Sequence, residues 1–280
     1  MFKNLLGLKI IVFLCVALVA TLLIFKDFIL ESEQEDYHYK LVREWTLPDE
    51  LNEISGMIHL DKNRIFCIQD EDGYLFIYNL KTKSIDQKIK FGPGGDYESI
   101  TKVNDTIYVL RSDGKLFEIK NAFKNIDVNT YQSNYSSRYN FEGLSFDSVQ
   151  NRLLIAPKYK LKRQSGKKPI FGFDLNRHKF IDTPIYQLNL NDNLLKKHPE
   201  FMPASLTYYA STKKYYMLDG RHRRLLILNS SFKPQKIYKL NISELPQPES
   251  LSFYIDKFYI SSEADQGIAP HIYEIVLKKY

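Results

Sequence analysis

Three glutamates stand at equivalent places in a repeated signature. They occur in Tyr97-Glu98-Ser99-Ile100, Phe141-Glu142-Gly143-Leu144 and Pro248-Glu249-Ser250-Leu251. Two more blocks keep the pattern without the acid, Ile54-Ser55-Gly56-Met57 and Pro203-Ala204-Ser205-Leu206. Carboxylates that converge on one space repel one another, so they must be protonated, hydrated, paired with cations or bridged by a metal. An all-oxygen ligand set suits a hard cation, and Ca²⁺ takes about 6–8 oxygens in loose geometry. The six histidines are dispersed and no CxxC occurs, so no zinc site is expected. Turns do not require glutamate, which favours a site for Glu98, Glu142 and Glu249.

A second polar column follows the first by 14–16 residues: Asp70, Asp113, Lys158, Asp219 and Glu263. Glu263 and Asp219 are expected to assist the three glutamates as metal ligands. Asp113-Gly114 and Asp219-Gly220 are also ordinary turn sequences. Arg111, Lys158 and Arg221 lie in or beside the same hairpins and could hold a phosphate or another anion next to a metal. Without a ligand the basic stretch Lys158–Lys168 is expected to be a solvated flexible loop. No phosphate-binding glycine loop or Ser-His-Asp order is present.

These residues need a scaffold that brings distant segments to one place. From Ser55 to Glu98, Glu142, Ala204 and Glu249 the steps are 43, 44, 62 and 45 residues. A period near 40–45 residues, filled with short strands and turns, is the pattern of a β-propeller. The predicted fold is all-β, a five-bladed propeller, and rotation would bring the glutamates toward its axis. The last repeat holds three strands only. The segment Tyr39–Leu47 has no signature before it, so it is expected to close the ring as the missing fourth strand.

The amino terminus is of different composition. Ile10 to Phe25 is unbroken apolar or small sequence, and Leu5, Leu6 and Leu8 extend it toward the ~20 residues that span a bilayer. Lys3 and Lys9 precede it and acids follow it. Residues 1–30 are therefore expected to form a single transmembrane signal anchor with a cytoplasmic N-terminus. Residues 31–38 are an acidic tether and 39–280 the propeller on the extracytoplasmic side. The alternative is a secreted protein whose signal peptide is cleaved. Net charge is +6, and the basic residues are scattered rather than set on one element, which excludes a nucleic-acid reader. Cys15 and Cys67 are the only cysteines, and their placement gives no disulfide.

The blocks Phe141–Phe146 and Pro248–Leu251, with Tyr259-Ile260-Ser261-Ser262-Glu263-Ala264, resemble the SdiA-regulated family. The similarity covers roughly residues 40–280. It implies a phytase-like propeller of the bacterial envelope, with a link to calcium handling in some relatives. The chain lacks the dense acidic motifs and the sixth blade of propeller phytases. The leading expectation is a membrane-anchored propeller that binds Ca²⁺ in its axial funnel. A metal-dependent phosphoesterase and a non-catalytic scaffold for an envelope partner are the alternatives.

Overall fold

The computed structural model describes residues 39–161, 166–198, 200–241 and 243–277. The expected anchor and tether lie outside them. Among the described residues no helix is long and apolar enough to cross a membrane.

Strand β1 (Tyr39–Thr46) comes first. Blade one is β2 (Ile54–His59), β3 (Arg64–Gln69), β4 (Tyr74–Asn79) and β5 (Ser84–Lys90). Blade two is β6 (Tyr97–Val103), β7 (Thr106–Arg111), β8 (Lys115–Lys120) and β9 (Asp127–Gln132). Blade three is β10 (Phe141–Asp147), β11 (Arg152–Pro157), β12 (Lys167–Asp174) and β13 (Lys179–Asn189). Blade four is β14 (Pro203–Tyr209), β15 (Lys214–Asp219), β16 (Arg224–Leu228) and β17 (Pro234–Lys239). Blade five is β18 (Pro248–Tyr254), β19 (Lys257–Ser262) and β20 (His271–Leu277).

The five sheets are four-stranded, and the fifth has the order β1-β20-β19-β18. Strand β1 runs antiparallel to β20, from Tyr39 opposite Leu277 to Thr46 opposite His271. The inner strands β2, β6, β10, β14 and β18 touch one another in a closed cycle. The chain is a five-bladed propeller closed by its N-terminal strand, as the repeat spacing predicts.

The middle strands are apolar on both faces, because each blade is covered on both sides. In β4, Leu75 and Ile77 pack with Phe117 and Ile100 of blade two. Their neighbours Phe76 and Tyr78 pack toward Trp45, Ile272 and Tyr259 of blade five. The same period of two sends Phe66 and Ile68 of β3 one way and Ile65 and Cys67 the other. Each fully buried apolar side chain contributes about 1.5–3 kcal/mol. The innermost strands carry small residues because they crowd the axis. A Cβ on Gly143 would stand 2.8 Å from Ala156 Cβ and 3.0 Å from Leu206 Cβ. Hydroxyls lock adjacent blades: the Leu251 amide donates to Ser205 Oγ at 3.2 Å, and the Met57 amide to Ser250 Oγ at 3.0 Å.

Every inner strand starts on one face of the disc, called the mouth, and ends on the other, called the base. Loops from strand two to three and from strand four to the next blade lie at the mouth. The turns from strand one to two and three to four lie at the base.

Candidate functional site

In all five blades the pairing of inner strand with second strand skips one residue. The skipped residues are Ser55, Glu98, Glu142, Ala204 and Glu249, the five equivalent positions of the sequence signature. A β-bulge leaves its extra residue outside the ladder and re-aims its side chain. The repeated signature is thus a repeated bulge, and the three glutamates share one backbone device at the start of an axial strand.

The register also re-sorts the second column. Ile54, Tyr97, Phe141, Pro203 and Pro248 face Gln69, Arg111, Pro157, Asp219 and Ser262. The residues next in line are Asp70, Ser112, Lys158, Gly220 and Glu263. Four of these donate their amide to the residue two before a bulge: Asp70 to Glu53 (3.3 Å), Ser112 to Asp96 (2.9 Å), Lys158 to Asn140 (2.7 Å) and Glu263 to Gln247 (3.0 Å). Asp70, Lys158 and Glu263 are therefore equivalent and reach the mouth with the glutamates. Asp113 and Asp219 are each one residue out of register with them. Sequence alone placed these two in the column because a one-residue offset between hairpins of unequal length is invisible without pairing.

Lys158 is the centre of the cluster. Its Nζ lies 2.7 Å from Glu142 Oε1. Asn140 Nδ2 donates to the same oxygen at 2.9 Å. Glu142 is 2 % exposed, and its Oε2 is buried without a hydrogen-bond partner. Asp70 Oδ1 and Ser55 Oγ are likewise buried without partners. Burial first, then the neighbouring carboxylates, raises every acid here. Glu98 is pushed up to about 10 by burial, Glu142, Asp96 and Glu249. Burial takes Glu142 to about 7 against the pull of Lys158. Burial and Glu53 take Glu263 to about 8, and burial with Glu53, Asp96 and Glu71 takes Asp70 to about 6. Glu249 rises well above the carboxylate range through burial, Glu263 and Glu142. Burial disfavours the Lys158 charge, yet Glu142, Glu249 and Glu98 together hold its pKa above the ordinary lysine value.

The other proposed ligands are engaged locally. Asp219 is fully buried and takes Arg224 Nη2 at 2.6 Å and His222 Nδ1 at 3.1 Å, so it belongs to a blade-four cluster and not to the axial one. Arg111 is fixed to Asp113 by two hydrogen bonds of 3.0 and 2.6 Å. Arg221 is exposed on the blade-four mouth loop. Of the three residues expected to hold an anion, Lys158 and Arg111 already carry carboxylate partners.

Three groups escaped the sequence reading. Glu53 and Asp96 precede bulges and enlarge the acidic rim. Lys168 is 2 % exposed, donates to the Pro157 carbonyl at 3.3 Å and to that of Lys158, and is pushed down to about 7 by burial. It pins the strand end that carries Lys158. Nothing in a lysine-rich stretch marks one lysine as buried. Blade four contributes only Ala204 and Gly220 at the two register positions, and Gly220 lies against Glu249. The polar cluster is therefore one-sided.

The donor set suits a hard cation: carboxylate, hydroxyl and amide oxygens, several of them unpartnered. In the arrangement of this structure, no three Asp, Glu, His or Cys among the described residues stand close enough to hold a metal ion. Lys158 supplies the positive charge instead.

No protein family model matches the chain, and no curated protein matches it in sequence. Solved structures are similar in fold. Glutaminyl cyclase of Myxococcus xanthus superposes with a TM-score of 0.61 at 10% identity, over 86% of this chain and 96% of that one. A Bacteroides thetaiotaomicron protein of unknown function gives 0.54 at 13% identity, over 85% and 76%. Virginiamycin B lyase of Staphylococcus aureus gives 0.50 at 11% identity, over 85% and 99%. At these identities the likeness establishes a β-propeller and nothing finer.

Proposed function

We propose that the protein is an envelope propeller of the SdiA-regulated type that binds a divalent cation, Ca²⁺, at its axial mouth. The observation that carries this reading is the ammonium of Lys158 lodged against Glu142, in the field of Glu98 and Glu249. One ammonium lies among these acids, and burial keeps protons on Glu98, Glu249 and Glu263 that a bound cation would replace. Glu98, Glu142, Glu249 and Glu263 would supply the oxygens, with Asp70 and Ser55 on the blade-one side. Ca²⁺ tolerates such a mixed and irregular set. Asp219 is left out, since Arg224 and His222 already satisfy it.

Raised carboxylate pKa values make the binding proton-linked. At neutral pH the site holds protons that a cation must displace. Calorimetric titration of the full chain with CaCl₂, in two buffers of different ionisation enthalpy, tests this. The reading expects a saturable heat that differs between buffers because protons are released. A titration without heat, in wild type and in the Glu98→Gln/Glu142→Gln/Glu249→Gln variant alike, would overturn it.

Phosphoester hydrolysis is the weaker reading. The cations nearest the site, Lys158 and Arg111, are tied to carboxylates and not free for phosphate. Membrane anchoring through residues 1–30 remains part of the proposal on the strength of the apolar run Ile10–Phe25.

A further inference from the structure

The base of the propeller differs from the mouth in charge and in apolar exposure. Nine turns form it: residues 60–63, 80–83, 104–105, 121–126, 148–151, 175–178, 210–213, 229–233 and 255–256. They carry seven Lys or Arg and three Asp. The described residues of the ten mouth connections carry thirteen acids and seven Lys or Arg, so the sign reverses across the disc. Three of the base turns also raise a large apolar side chain into solvent: Phe123 (51% exposed), Val149 (69%) and Ile255 (71%). These tips belong to blades two, three and five, so they are spread over the whole face.

A groove of about 870 Å³ opens on the same face between blades five and one. Trp45, Leu80 and Tyr259 form its floor. Lys62, Lys81 and Lys83 on its rim are exposed and make no ion pair among the described residues. Lys257 and Arg43, also on the rim, share the buried carboxylate of Glu274. The chain enters β1 at Tyr39, which pairs with Leu277 at the base end of β20. The first described strand therefore begins on this face.

We propose that the base face docks on the surface of an anionic phospholipid bilayer, with the basic turns on headgroups and Phe123, Val149 and Ile255 in the interface. Basic residues near an anionic leaflet are attracted over about a Debye length, and exposed apolar side chains among them add burial. Docked in this way, the base meets the bilayer and the acidic mouth faces away from it, open to soluble ligands. This placement does not depend on the cation reading of the mouth.

The test is amine footprinting of the full chain reconstituted in vesicles of phosphatidylcholine alone or with about one third phosphatidylglycerol. Acetylation rates are read by mass spectrometry at low and high salt. The expected result is that Lys62, Lys81, Lys83, Lys124 and Lys213 react at least about fivefold more slowly in the anionic vesicles, with recovery at high salt. Lys160, Lys196 and Lys197 on the mouth should react equally in both. Lys62→Gln/Lys81→Gln/Lys83→Gln combined with Ile255→Ser should reduce the protection of Lys124 and Lys213 while leaving circular dichroism unchanged. Equal rates in the two compositions, or protection of the mouth lysines, would overturn the proposal. Protection of Lys62, Lys81 and Lys83 alone in both compositions would assign the groove to the acidic tether, and would overturn it too.

Discussion

Lys158 Nζ and Glu142 Oε1 are 2.7 Å apart at the mouth of the propeller, with Glu142 almost fully buried and Lys158 partly so. The pair joins two register positions of one blade, a bulge residue and the residue that follows the second strand. In blades one and five those positions hold Ser55 with Asp70 and Glu249 with Glu263. Blade three alone sets a cation opposite its bulge glutamate, and that cation serves its neighbours as well.

Replacing Lys158 by Met should therefore cost more than a surface pair would. The partner carboxylate would be left buried without its cation, and partial protonation of Glu142 would limit the loss to about 2 kcal/mol. Urea denaturation of the metal-free protein measures it. The Lys158→Met/Glu142→Gln double variant should recover most of the loss, since no buried charge remains. If the cation reading holds, calcium stabilises Lys158→Met more than wild type, because the internal competitor is gone.

The pH dependence of stability should run opposite to that of ordinary acid-rich proteins. Glu98, Glu142 and Glu263 keep protons in the folded state to about 10, 7 and 8, whereas the unfolded chain loses them near the usual carboxylate value. The folded state then binds more protons than the unfolded one above that value, and stability falls as pH rises. His59, held neutral by burial at a pKa of about 4, acts in the contrary sense below its ordinary value. The comparison that isolates the site is wild type against the triple Glu→Gln variant. In calcium-free buffer, wild type should lose thermal midpoint relative to the variant between pH 5 and 7. A constant difference would show that the glutamates titrate normally.

Gly143→Ala probes the scaffold instead of the chemistry. Its Cβ would press on Ala156 and on Leu206 of blade four, both held by strand backbone. Overpacking of this kind costs about 1–3 kcal/mol. The denaturation midpoint should drop, and the calcium affinity of the folded fraction should change little. An unaltered midpoint would mean that blades three and four can separate at their axial edge.

The fold was legible because each blade repeats one local rule. A small residue and an aliphatic follow each bulge, two-sided apolar strands follow them, and the last blade visibly lacks a strand. The glutamates were legible for the same reason, since Glu98, Glu142 and Glu249 depart from a repeating background. What could not be read was pairing register. Asp219 and Asp113 sit one residue away from Asp70, Lys158 and Glu263, and only the hydrogen-bond ladder separates them. The role of Lys158 was hidden in a run of lysines of which Lys160 and Lys167 face solvent and Lys168 buries in the wall. Glu53 and Asp96 lie just before the signature, where sequence shows only acidic loops.

The central claim rests on whether the mouth takes a divalent cation. Thermal unfolding of the full chain with and without calcium, for wild type and for Glu98→Gln/Glu142→Gln/Glu249→Gln, tests it most directly. A ligand at a hundredfold excess over its Kd stabilises the folded state by about 2.7 kcal/mol. For a domain of this size that is a rise of about 5 °C or more. The wild type should show that rise at millimolar calcium near pH 8, and the triple variant should show none. An unchanged midpoint in both proteins, or an equal rise in both, would contradict a cation site at these glutamates.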